Sequence, residues 1–108
     1  MSITLPGDAP LTLPASLTIK NISAVREMIL DFMNNNSTAV LDIDEEAQVD
    51  LSFVQLVVSA RKQAEAGEGR LLLARPAAGD LYDVLKRGGF LDAMTPEAAH
   101  FWLHQEKN

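Results

Sequence analysis

The chain has 108 residues, 47% of them hydrophobic and 22% charged, with a formal net charge of -6 at pH 7. That length suits one hydrophobic core, and that composition belongs to folded chains and not to disordered ones. The lack of cysteine excludes disulfides, thiolate metal sites and cysteine nucleophiles, and nine scattered Lys and Arg residues against fifteen Asp and Glu argue against DNA or RNA as a partner.

The opening MSITLPGDAPLTLP has no basic segment followed by an apolar stretch, so it does not read as a secretory signal. The expectation is a single domain over 1–108, in the cytoplasm, where a cysteine-free chain is at home. Pro6, Gly7 and Pro10 punctuate the start. LTLPASLTI (11–19) then alternates as extended chain does, with Pro14 confining it to an edge or a bulge. After Lys20 the period changes. Ile22, Val25, Met28, Ile29, Phe32 and Met33 recur at spacings of three and four, which predicts one face of a helix, capped by Asn21 or Ser23 and ended by NNNS (34–37).

TAVLDID (38–44) is short, β-branched and apolar until its acidic end, and predicts a strand buried on both faces. Residues 51–66 read as a helix stopped by Gly67 and Gly69. Its apolar run from Phe53 to Ala60 is interrupted by Gln55 and Ser59 and falls far below the roughly 20 residues that span a bilayer, so direct membrane insertion is not expected. RLLLA (70–74) is the next buried strand, and Pro76 begins the turn out of it. Leu81, Val84 and Leu85 predict a short amphipathic helix closed by Gly88 and Gly89, where a positive φ is needed. Thr95 and Pro96 start a last helix as cap and first-turn residue, with Ala98 and Phe101 covering the core and Trp102 either packed with them or exposed as an interface anchor. Helices and strands in this alternation predict an α/β fold with mixed pairing in the sheet.

Three groups of residues invite a chemical reading. Asp50 and Ser52 precede the helix at 51–66, and either one serves as an ordinary N-cap. Asp42, Asp44, Glu45, Glu46 and Asp50 gather at a strand end where carboxylates can hold Mg²⁺, but no lysine or hydroxyl stands in a supporting place, and a solvated acidic loop is the preferred reading. His100 and His104 share a helix face with Glu97 one turn earlier. A zinc site there lacks a third ligand, so no metal or cofactor is expected. GEGR (67–70) is too short for a phosphate-binding loop, and no glycine fingerprint for a nucleotide is present, so an enzyme is not expected.

Four pieces of the chain together carry a family resemblance: AVLDID, VDLSFVQLVVSARKQAEAGEG, RLLLARPAAGDL and VLKRGGF. Over about residues 11–92 the chain resembles the STAS domain, named for sulphate transporters and anti-sigma-factor antagonists. The resemblance implies an α/β fold with about four strands in a mixed sheet and three to four helices packed mainly on one face. It places Asp50, Leu51 and Ser52 on the segment that carries the family's phosphorylated serine or threonine, with Ser52 on the acceptor position. Where the family often has glycine after the acceptor, this chain has Phe53, followed by Val54. The implied function is a small signalling switch without catalysis. Its protein partner would be met through the face from Asp44 to Phe53, with Asp44, Glu45, Asp50, Leu51, Ser52 and Phe53 as contact candidates. An anti-sigma-type serine kinase and a phosphatase are the implied partners, with chemotaxis-type complexes or lipid-transport machines as other settings, and a constitutive scaffold is the alternative in which Ser52 is inert.

Overall fold

The computed structural model describes residues 9–105. The turns expected at Pro6 and Gly7 lie outside them.

Two short strands come first, β1 (Leu11–Thr12) and β2 (Ser16–Leu17). Pro14 falls between them, and the two strands enter different sheets, as the missing proline N–H favours. Helix α1 (Ile22–Asn35) buries Val25 and Ile29, with Ile22, Phe32 and Met33 partly buried around them; Met28, at the margin of the predicted stripe, is 37% exposed. Asn21 stands at the N-cap but does not cap with its side chain. Its amide instead accepts from the Thr18 N–H at 3.1 Å and donates to the Ser16 carbonyl, closing the turn between β2 and α1.

β3 (Thr38–Asp42) and β5 (Arg70–Leu73) run parallel, with Ala39 opposite Leu71 and Leu41 opposite Leu73. Those four side chains are buried, while Thr38, Val40 and Leu72 between them are only half-buried. The predicted burial of both faces is thus corrected to one fully buried face. The period of two puts alternate residues on opposite sides, and the buried residues of α1 and α2 join the core from one of them. β1 flanks β3 on the other side, giving the order β1-β3-β5.

β4 (Gln48–Val49) pairs with β2, Ser16 opposite Gln48 and Leu17 opposite Val49. All three strand pairings are parallel. The predicted mixed, four-stranded sheet is therefore replaced by one three-stranded and one two-stranded parallel sheet among the described residues. α2 (Leu51–Ala66), α3 (Gly79–Arg87) and α4 (Pro96–Leu103) complete the α/β fold. α2 ends where the sequence predicts, but the left-handed residue there is Glu68 (φ 64°) and not a glycine. Gly79 (φ 59°) begins α3 so close to the β3–β4 loop that a Cβ on it would lie 2.1 Å from the Glu45 carbonyl oxygen. Phe101 and Trp102 of α4 are buried, and Thr95 caps that helix by accepting from the Ala98 N–H at 3.1 Å. No helix among the described residues is long and apolar enough to cross a membrane.

Candidate functional site

β4 delivers the chain directly into α2, and the junction is Asp50. Its backbone N–H donates to the Leu17 carbonyl at 3.3 Å, extending the β2–β4 ladder by one bond. Its backbone is extended (φ -128°, ψ -179°), so the side chain folds over the first turn of α2 as an N-cap does. One carboxylate oxygen, Oδ1, accepts from the Ser52 N–H at 3.0 Å and from the Ser52 hydroxyl. The other, Oδ2, accepts from the Ile19 N–H at 2.9 Å, thirty-one residues away in sequence.

One carboxylate therefore ties together the start of α2, the Ser52 hydroxyl and the turn between β2 and α1. The Ser52 hydroxyl above all, together with the N–H groups of Ile19, Ser52 and Phe53, holds the Asp50 carboxyl below the ordinary carboxylate range, against the opposing effect of partial desolvation. A carboxylate made this comfortable as an anion is a weak base. It orients the Ser52 hydroxyl and is poorly suited to take its proton.

Ser52 is partly exposed and Leu51 is 44% exposed, whereas Phe53 is wholly buried. Phe53 is thus a core residue that offers no surface to a partner. The remaining sequence candidates divide. Asp44 and Glu45 lie by a small depression with Arg75, Pro76 and Leu81, near the start of α3, while Asp50 and Leu51 border a different one near its end.

The acidic strand end is occupied by its own internal bonds. Asp42 Oδ1 accepts from Arg75 Nε at 3.1 Å and from its terminal nitrogen at 2.8 Å, and Asp44 Oδ1 accepts from the Glu46 N–H at 2.8 Å. The two histidines also part company. A ring N–H of His100 donates to the Gln105 carbonyl and one of His104 to the Leu73 carbonyl, each at 3.0 Å. Among the described residues, no three His, Asp or Glu side chains gather in a way that could hold a metal ion.

Sequence reasoning overlooked Ile19, whose backbone completes the Asp50 cap, because nothing in a linear pattern relates residues so far apart. It also overlooked Val84, Arg87 and Gly88, which face the first turn of α2 across a shared groove. Their only trace was VLKRGGF, which reads as the end of a helix. Compared with known proteins, the chain matches no family model, no curated protein and no solved structure.

Proposed function

We propose that the chain is a small protein-binding switch, without catalysis of its own, whose partner docks around the first turn of α2 and whose affinity is set by phosphorylation of Ser52. The observation that carries this reading is the placement of Ser52. The residue is partly exposed at a helix N-terminus, and its hydroxyl donates to Asp50. The resemblance to STAS domains supplies the acceptor role and points to an anti-sigma-type serine kinase and an opposing phosphatase.

In the transfer, Ser52 Oγ forms a bond to the γ-phosphorus of ATP held by the kinase, the bond to the ADP oxygen breaks, and the hydroxyl proton leaves to a base of the kinase. The product carries nearly two negative charges at pH 7. The positive end of the α2 dipole favours an anion there, so the fold tolerates the group. Asp50 does not. It loses a donor and faces a second anion, so its hold on Ile19 weakens together with its hold on Ser52. The surface that a partner meets changes in charge and in shape.

Ser52→Ala and Ser52→Asp test the switch in paired pull-downs from native cytosol, with mass spectrometry of the endogenous chain. A switch keeps its partner in the alanine variant, loses it in the aspartate variant and yields phosphate on Ser52. Equal binding by both variants, with Ser52 unmodified, would replace the switch by a constitutive adaptor, such as an accessory subunit of a transport complex.

A further inference from the structure

The first turn of α2 and the last turn of α3 leave an open groove of about 380 Å³ lined by Val49, Asp50, Leu51, Val84, Arg87 and Gly88. Its walls are apolar where Leu51 and Val84 face it, and Leu51 remains 44% exposed there. Only two of the lining residues carry charge, and they differ in what they have left to offer. Asp50 has both carboxylate oxygens engaged within the chain. Arg87 has no carboxylate within ion-pair distance among the described residues, although Asp83 stands one turn before it. Its place in the last turn of α3 complements the helix dipole, yet leaves the planar fork of donors open.

An apolar cleft beside an unpaired guanidinium is complementary to an apolar side chain beside a carboxylate. We infer that the groove receives an acidic–aliphatic segment of the partner protein, one aliphatic side chain seating between Leu51 and Val84 while a neighbouring Asp or Glu pairs with Arg87. The chain as a whole carries a formal charge of -6, and Arg87 is the one cation among the residues that line the groove. The inference rests on the reading of Ser52 as the switch, and it gives that switch a target. Phosphate on Ser52, the residue after Leu51, adds negative charge beside the groove and repels the incoming carboxylate.

The test is a random-peptide display selection on the full chain, followed by amide chemical-shift mapping with one synthetic peptide of the selected consensus. The expected consensus pairs an aliphatic residue with Asp or Glu, and its peptide shifts Leu51, Val84 and Arg87. Arg87→Ala should weaken that peptide about ten-fold, as loss of one charge-assisted pair does. Selection on Arg87→Glu should exchange the acidic residue for Lys or Arg, a reversal that damage to the fold cannot imitate. A consensus without an acidic residue, shifts mapping elsewhere, or no selected peptide at all would overturn the groove assignment. Binding that obeys Arg87 but is equal for wild type and Ser52→Asp would uphold the groove and remove the switch.

Discussion

Replacing Asp50 by alanine removes a cap and a crosslink in one step. Loss of an Asp N-cap to alanine costs about 1 kcal/mol and at most about 2. The bond from the Ile19 N–H to Oδ2 is lost as well. It lies at an exposed position, so its net contribution is about 0.5–1 kcal/mol. The sum is about 2 kcal/mol, and at about 4 °C per kcal/mol for a domain near 100 residues the melting temperature should fall by about 8 °C. Asp50→Asn should recover about half, because an amide has one accepting oxygen where the carboxylate has two and places NH₂ against an N–H donor.

The same residue sets a pH dependence with a definite sign. Its carboxyl is lowered in the folded chain, so its contribution is complete above the unfolded value of about 4 and is lost as pH falls through the folded one. Calorimetry at pH 7 and at a series of acidic pH values reads both effects. The gap between wild type and Asp50→Ala should be widest at neutral pH and should narrow below about pH 4. A variant that melts within about 2 °C of wild type at pH 7, or a gap that widens in acid, would refute the joint cap and crosslink.

Gly79→Ala places a Cβ against the Glu45 carbonyl at a left-handed residue, and urea unfolding should show a loss of at least about 3 kcal/mol. Gly89 is equally left-handed (φ 80°) but faces open space, so Gly89→Ala should cost only about 1 kcal/mol in the same assay. Phe53→Ala empties a wholly buried site and should cost about 3–5 kcal/mol, which urea unfolding will register. Glu68→Gly relieves a left-handed non-glycine residue and should raise stability by about 0.5 kcal/mol after the added freedom of the unfolded chain is counted, a small rise in melting temperature.

The elements with long or well-punctuated patterns were legible. α2 spans the residues its flanking signals mark, and Thr95–Pro96 begins α4 by the capping chemistry those residues possess. What failed was everything decided across the chain. β4 has two residues, too few for a period of two to be seen, and its partner β2 is equally short. The direction of such pairs comes from how helices and turns bring them together, so mixed pairing was read where parallel pairing occurs. The cap of α1 failed for a related reason: Asn21 had a competing use in the turn behind it. Asp50 and Ser52 were visible as a helix start, whereas Ile19, Val84 and Arg87 reach the same place only through the fold.

The orientation of Ser52 follows from the core. α2 has apolar residues at Leu51, Phe53, Val54, Leu56, Val57 and Val58, so its sequence pattern alone leaves its rotation open. Burial of Phe53, Val54, Val57, Ala60 and Ala64 settles it, since turning the helix by one residue, about 100°, would expose Phe53 to bring Leu51 or Ser52 inward. Exposing a wholly buried phenylalanine costs about 1.5–3 kcal/mol, which a single leucine gained elsewhere does not clearly exceed and a serine cannot. Phe53 therefore acts as the pivot that keeps Leu51 at the groove and the Ser52 hydroxyl against Asp50. A core side chain thus fixes the presentation of its neighbours on the surface. A glycine at position 53 could not supply that anchor, because it has no side chain to bury.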